Sequence, residues 1–185
     1  RESFIPYSKE ICNFISDLSN ELNLNSLSRK YPDIKTFSFW CRKKNIESLK
    51  KNYFSEKTRL GLGLIFHITP SNIPTNFAYS LIFGLITGNS NIIKVPSKKF
   101  DQIDIICKAI NKILKNKYKI VKKMISVVRY SDNDDYTNKI SSICDARLIW
   151  GGDNSIKNIR KFPLKHRALD LAFADRYSFS VINAQ

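Results

Sequence analysis

GLGLIFHITPSNIPTNFAYSLIFGLITGNSNIIKVPS, residues 61–97, decides the fold of this 185-residue chain. It is the least charged segment of a strongly basic protein, and it holds four of the six glycines and three of the six prolines. Residues 60–68 read as a buried strand carrying two glycines. Pro70 and Pro74 stiffen the turn that follows, around Ser71 and Asn72. Residues 75–87 read as an apolar helix with Pro74 in its first turn, and residues 91–95, NIIKV, as a second buried strand ended by Pro96. Strand, turn, helix and strand at this spacing make a βαβ unit. Polar side chains at the end of a parallel strand, beside a helix start, are a common way to build an active site.

The same alternation continues toward the C-terminus. Residues 98–116 read as a long helix favoured by Asp101 and Asp104 near its start. MISVVR, 124–129, reads as a third strand. Residues 132–143 read as a helix opened by Asp132, Asp134 and Asp135, and ARLIW, 146–150, as a fourth strand ended by Gly151 and Gly152. Asp153 is placed as the cap of a short helix, SIKNIR, and RYSFSVI, 176–182, as the last strand. The strands are apolar runs rather than clean alternations, as expected when helices cover both faces. The fold class is therefore α/β, an open parallel sheet. Because the chain ends just past the strand predicted last, it reads as a fragment with further machinery downstream.

Toward the N-terminus, residues 8–20 place Ile11, Phe14, Ile15 and Leu18 on one helical face. Residues 21–39 read as loop and short helix interrupted at Pro32, with Phe37, Phe39 and Trp40 as packing anchors. Residues 40–55 read as an amphipathic helix carrying Ile46, Leu49 and Phe54 inward. We expect two parts: a helical arm at 1–58, whose apolar faces need a partner in the following domain or another subunit, and a partial α/β domain at 59–185.

Composition narrows the function. Hydrophobic residues reach 43%, enough for a core. Cys12, Cys41, Cys107 and Cys144 are far apart with no CxxC pair, which reads as reduced thiols in a cytoplasmic protein. With two histidines in the chain, no metal centre is expected. No signal peptide opens the sequence. The longest apolar run, 77–88, is too short to cross a bilayer, so no integral membrane association is expected. The formal charge is +15, from 31 Lys and Arg against 16 Asp and Glu. Segments such as KKNIESLKKNYFSEK disperse that charge at helical spacing, which describes solvated helix faces rather than a nucleic-acid footprint.

Several residues are candidates for chemistry. No Rossmann glycine fingerprint and no Walker lysine motif is present. Asn72 has two readings: an amide donor held to stabilise an oxyanion, or an Asx-turn that caps the next helix. Lys94, in an otherwise apolar strand, either reaches into the strand-end crevice toward ribose or phosphate or snorkels at the strand end. Pro96 and Ser97 lead into a helix whose start suits a phosphate. Gly151 and Gly152 allow close approach of a ligand or serve a tight turn. His67 and His166 have no serine or cysteine at motif spacing, so packing or surface contact is the default for both. Cys144 reads as a small buried hydrophobe rather than a nucleophile.

Three segments in order, HITPSNIPTNFAYSLIFGLITGNSNIIKVPS, ICDARLIWGGDNSI and LDLAFADRYSFSVINA, resemble the acyl-CoA reductase family. That family is a branch of the aldehyde dehydrogenase superfamily and includes the bacterial bioluminescence fatty-acid reductase subunit. The resemblance is strong over residues 60–185 and loose over the first 59. It implies a Rossmann-like cofactor domain in the N-terminal portion of a nicotinamide-dependent acyl-CoA (fatty-acyl) reductase. Asn72 matches the superfamily asparagine of the oxyanion hole, and Lys94 the lysine that contacts the adenosine ribose. Gly151 and Gly152 fall where the fourth strand passes the pyrophosphate or nicotinamide. Thr69, Pro70, Pro96 and Ser97 complete the implied cofactor-binding set. Trp150 with the glycine pair replaces the Phe-Thr-Gly-Ser segment of ordinary aldehyde dehydrogenases, and Ser71 replaces their tryptophan. None of the four cysteines matches the family nucleophile, which lies beyond this chain. The resemblance further implies NADPH, with NADH as the alternative, an acyl-CoA or acyl-protein thioester donor, and a possible homo-oligomer. The competing reading is a non-catalytic structural remnant or a basic phosphate- or nucleic-acid-binding module.

Overall fold

The computed structural model describes residues 4–53, 58–131, 134–174 and 180–182. Five strands form one sheet: β1 (Leu64–Ile68), β2 (Ser90–Val95), β3 (Ile125–Arg129), β4 (Ala146–Trp150) and β5 (Leu169–Phe173). Every neighbouring pair is parallel, and the spatial order is β3-β2-β1-β4-β5. The helices are α1 (Lys9–Leu24), α2 (Pro32–Trp40), α3 (Lys43–Tyr53), α4 (Asn76–Ile86), α5 (Asp101–Leu114), α6 (Lys119–Lys123), α7 (Asp134–Ile143) and α8 (Asp153–Arg160), with a 3₁₀ turn at Ser26–Lys30. Among the described residues no helix is long and apolar enough to cross a membrane.

Burial explains the layers. α4 is apolar nearly all round and buries Phe77, Ala78, Leu81, Ile82, Leu85 and Ile86, as a helix enclosed on several sides must. It lies between the sheet and the N-terminal helices. α1 contributes the stripe Ile11, Phe14, Ile15, Leu18 and Leu22, and these join α4, α5, Ile93 and Val95 in one hydrophobic cluster. The apolar faces of the N-terminal helices thus find their partner in α4 and α5. Polar ties reinforce the contact: Lys112 pairs with Glu21 at 2.8 Å, and the Tyr118 hydroxyl donates to Asp17 at 2.7 Å. Near the N-terminus, Tyr7 N–H donates to Ile86 O at 2.7 Å and Phe4 N–H to Gly88 O at 3.0 Å. The opposite sheet face is a second, smaller core of Phe66, Ile68, Cys144, Ile149 and Ile156.

The bottom of the β1–β4 pair is clamped by Asp145, which accepts from Leu64 N–H at 2.8 Å and pairs with Lys165. Gly63 makes this possible. Its φ is +126°, and a Cβ there would stand 2.4 Å from Asp145 Oδ2, so both conformation and space require glycine.

Three sequence expectations need correction. Among the described residues the last strand is Leu169–Phe173, which the sequence reading did not mark; of the segment expected at 176–182, residues 176–179 lie outside the described residues and 180–182 carry no strand. Asp153 is the first residue of α8, whose N-cap is Gly152 without a side-chain cap bond. Pro74 sits in the turn ahead of α4, which begins at Asn76. α6, between α5 and β3, is anchored in the core by Val121. Asp132, expected to help open α7, lies outside the described residues.

The last strand has an unusual outer surface. Leu169, Leu171 and Phe173 alternate with Asp170 and Ala172 and stay 43–47% exposed. Phe173 stacks on Trp150 with ring centroids 4.1 Å apart and planes 12° from parallel.

Candidate functional site

The strand order defines a crevice. Connections from β1 run outward through β2 to β3, and the chain then crosses back to place β4 on the other side of β1. Ligands of open α/β sheets bind at the carboxyl ends of strands at such a switch point. Here the two flanking ends are Thr69–Asn72 after β1 and Gly151–Gly152 after β4.

Asn72 is exposed, and its amide makes no hydrogen bond among the described residues. α4 has Thr75 as its N-cap, also without a side-chain bond. The capping interaction is therefore not made, and the amide stands free at the strand end. Thr69 is spent differently: its hydroxyl donates to Lys94 O at 2.9 Å, and its N–H donates to the same oxygen at 3.2 Å. Thr69 thus locks the ends of β1 and β2 together and fixes the backbone of Lys94. Lys94 Nζ lies 5.0 Å from the centroid of the Tyr130 ring, a cation–π contact at the end of β3. Tyr130 in turn bonds Thr137 at 3.1 Å. Pro70 is half-buried, Pro96 buried and Ser97 exposed. Beyond Ser97 stand the exposed Lys98 and Lys99, while the next carboxylates are engaged: Asp101 by the Tyr31 hydroxyl at 2.7 Å and Asp104 by Arg129 at 3.3 Å.

The glycines divide into two groups. At Gly61, Gly63, Gly84 and Gly88 an added Cβ would come within 1.8–2.4 Å of the chain's own atoms. At Gly151 it would meet Ser155 Cβ at 3.4 Å, an ordinary contact, and no left-handed φ is needed there. Gly152 has φ −70° and ψ 163°, which any residue adopts. Internal packing explains the first group and leaves Gly151 unexplained. Above it starts α8, whose free N–H groups favour an anion while the Asp153 carboxylate in the first turn opposes one. Trp150 Nε1 is buried beside this pair without a hydrogen-bond partner among the described residues.

The other sequence candidates are structural. His67 is fully buried. Its Nδ1 lies 2.8 Å from the Ser80 hydroxyl and its Nε2 2.9 Å from Asn91 Oδ1. Asn91 Nδ2 donates to Asn89 O at 2.7 Å, which fixes the amide orientation. Oδ1 must then accept, so Nε2 carries the imidazole proton and Nδ1 accepts from Ser80. Burial pushes the His67 pKa down to about 4, and the ring stays neutral. Gly84 leaves the space for this network, since a Cβ there would meet Asn91 Oδ1 at 1.8 Å. His166 is exposed. Burial pushes Cys107 and Cys144 up to about 11, and raises Cys12 and Cys41 as well. All four thiols are held in the weakly nucleophilic form.

Arg147 went unnoticed in the sequence. It is 1% exposed and bonds Asp170 through Nε at 3.3 Å and an Nη at 2.9 Å. Its other Nη donates to Ser141 Oγ, Ile159 O and Phe162 O at 3.0–3.2 Å. One side chain thereby ties β4 to β5, α7 and the end of α8. A charge inside the apolar run ARLIW, matched by Asp170 inside LDLAF, was the available signal.

Comparison with known proteins agrees with the architecture. A family model described as acyl-CoA reductase (LuxC) matches residues 7–185. A long-chain acyl-protein thioester reductase of Aliivibrio fischeri is 28% identical over 124 residues, covering 66% of this chain and 25% of that protein. Lactaldehyde dehydrogenase from Escherichia coli superposes with a TM-score of 0.67 at 12% identity, over 89% of this chain and 39% of its own. Glyceraldehyde-3-phosphate dehydrogenase GapN from Methanocaldococcus jannaschii, solved with NADP, gives 0.59 at 16% identity, over 89% and 41%. The chain thus spans a quarter of the curated relative and about two fifths of these structures.

Proposed function

The chain belongs to the acyl-CoA reductase (LuxC) family, and from that premise we propose that it is the cofactor-binding portion of a nicotinamide-dependent reductase that converts a fatty-acyl thioester to an aldehyde. The observation that carries the reading is the placement, at neighbouring strand ends, of a free amide, Asn72, and of Gly151, where an added Cβ would meet only an ordinary contact. The relative's substrate, an acyl-protein thioester, makes an acyl-protein or acyl-CoA donor the substrate class. The nicotinamide supplies the reducing equivalent when bound.

The chain's own residues divide the work. Asn72 donates its amide N–H to the oxyanion that develops on the thioester carbonyl, a task for which a donor already free of other partners needs little reorganisation. Gly151 and Gly152 let the dinucleotide approach the backbone, and Pro70 shapes the wall beside them. Lys94, positioned by Thr69, holds the adenosine ribose, with Pro96 and Ser97 turning the chain around it. Because Lys98 and Lys99 extend the positive rim with no unengaged carboxylate before Asp104, the site suits a 2′-phosphate, which favours NADPH over NADH. The nucleophilic cysteine belongs to another segment of the longer protein; the raised pKa of the thiols here supports that assignment. Four unpaired cysteines also support a cytoplasmic location.

The test is calorimetric titration of the full-length protein with NADPH and NADH, alongside Lys94→Ala and Gly151→Ala variants. Tighter binding of NADPH, weakened in both variants, is expected. Equal affinity for both dinucleotides in all three proteins would remove the site assignment.

A further inference from the structure

Lys94 stands at the end of β2 without a counter-charge. Its Nζ makes no ion pair and no hydrogen bond among the described residues, and lies over the Tyr130 ring at 5.0 Å from the centroid. The pairing of β2 with β3 accounts for the contact. Lys94 is in register with Val128, and Tyr130 lies two residues further on. Residues two apart share one face of a sheet, so the lysine and the ring meet on the same side at adjacent strand ends. The ring is itself held from two directions. Its hydroxyl shares a hydrogen bond of 3.1 Å with Thr137 of α7, which is 4% exposed. The Tyr136 ring packs against it with centroids 5.5 Å apart and planes tilted by 53°. Thus α7 fixes Tyr130, Tyr130 fixes the ammonium end of Lys94, and Thr69 fixes the Lys94 carbonyl.

An aromatic face attracts an ammonium group through its quadrupole and carries no net charge. It orders the lysine without neutralising it, whereas a carboxylate in the same place would cancel the charge and repel a phosphate. We infer that Tyr130 is a positioning residue for nucleotide binding: its ring holds the Lys94 ammonium at the strand end with the positive charge left available to ribose and phosphate oxygens. That role presupposes Lys94 as the nucleotide-contacting lysine and adds the residue that prepares it. A lysine side chain ordered only on binding loses rotamer freedom at that moment, which weakens affinity. The ring supplies the ordering beforehand.

In the full-length protein, NADPH affinity is measured by calorimetry for Tyr130→Phe, Tyr130→Leu, Lys94→Ala and the Tyr130→Leu/Lys94→Ala double variant. Tyr130→Leu is expected to weaken binding about two- to five-fold, the worth of an exposed cation–π contact, with kcat at saturating NADPH unchanged. Tyr130→Phe keeps the ring and is expected to bind as the wild type does. In the Lys94→Ala background, Tyr130→Leu is expected to change nothing further. A second readout needs no nucleotide. Reductive methylation with isotope-labelled formaldehyde keeps the lysine charge, and the dimethyl-Lys94 resonance is assigned by its loss in Lys94→Ala. The ring current of Tyr130 is expected to move that resonance upfield of the other lysines in the wild type and in Tyr130→Phe, and not in Tyr130→Leu. An unshifted Lys94 resonance in the wild type, equal losses of affinity in the Phe and Leu variants, or tighter binding in Tyr130→Leu would each overturn the role of Tyr130. Wild-type affinity in Tyr130→Leu beside weakened binding in Lys94→Ala overturns it too and leaves the site reading intact. Wild-type affinity in Lys94→Ala removes the site reading and the role of Tyr130 with it. The wild-type resonance and Tyr130→Phe decide the matter even where Tyr130→Leu folds poorly.

Discussion

Replacing Asn72 by alanine in the full-length enzyme separates chemistry from folding. The side chain is exposed, caps no helix and makes no hydrogen bond among the described residues. Its removal should therefore change stability by no more than about 0.5 kcal/mol, as for an ordinary surface substitution. Had the amide capped α4, the loss would be about 0.5–2 kcal/mol. As an oxyanion donor, however, Asn72 should be missed in the transition state, where loss of one donor costs about 2.7–4 kcal/mol, or on the order of 10²–10³ in rate. The assay is single-turnover acylation by a long-chain acyl thioester, measured beside urea unfolding and NADPH binding on the same preparation. Slow acylation with wild-type unfolding and wild-type nucleotide affinity is expected. An unchanged acylation rate, or a stability loss that accounts for the missing activity, would refute the reasoning.

Lys94→Ala should raise the KM for NADPH by roughly 10–100-fold, the worth of a charged hydrogen bond of about 1.5–3 kcal/mol, while the KM for acyl substrate stays put; steady-state kinetics decides it. Gly151→Ala should weaken dinucleotide binding in calorimetry yet leave thermal stability level or raised by about 0.4–1 kcal/mol, because its Cβ meets only Ser155 at 3.4 Å. His67, with a pKa near 4 against 6.5, binds its proton more readily in the unfolded chain. Its contribution is complete above pH 6.5 and is lost as pH falls toward 4, to the extent of about 3 kcal/mol; urea titrations of wild type and His67→Asn across that window should differ in slope by about this amount. Arg147→Met should destabilise by about 3–5 kcal/mol, as broken buried pairs do, and Arg147→Met/Asp170→Leu should recover part of the loss in the same denaturation assay.

The fold was legible where local chemistry and global placement coincide. Strands β1 and β2 with α4 between them are written in continuous apolar runs, because a central parallel strand is covered on both faces. The strand Leu169–Phe173 went unread because LDLAF carries a carboxylate at its centre. That carboxylate is tolerated only because Arg147 reaches it from 23 residues away, a fact no local pattern contains. The cap assigned to Asp153 failed for a related reason: Gly152 already supplies the extended backbone that opens α8. At the strand ends, the sequence pointed to Asn72 and to the glycine pair, yet left their alternatives balanced. What bears on those alternatives is non-local: the Asn72 amide makes no hydrogen bond among the described residues, and a Cβ at Gly151 would meet only an ordinary contact.

The network of Ser80, His67 and Asn91, with Gly84 beneath it, has a consequence for how this family can diverge. Four positions on β1, α4 and β2 hold one another's identities in place. Alanine at 84 collides with Asn91, leucine at 91 orphans the imidazole Nε2, and a hydrophobe at 67 takes the imidazole partner from the Ser80 hydroxyl and from Asn91 Oδ1. Each single step passes through a state with a clash or a buried unpaired group, costing about 1–3 kcal/mol. Descent should therefore keep the quartet whole or exchange it whole. In related chains the four columns should change together, with an apolar set replacing the polar one and a larger residue appearing at position 84 only where Asn91 has been lost.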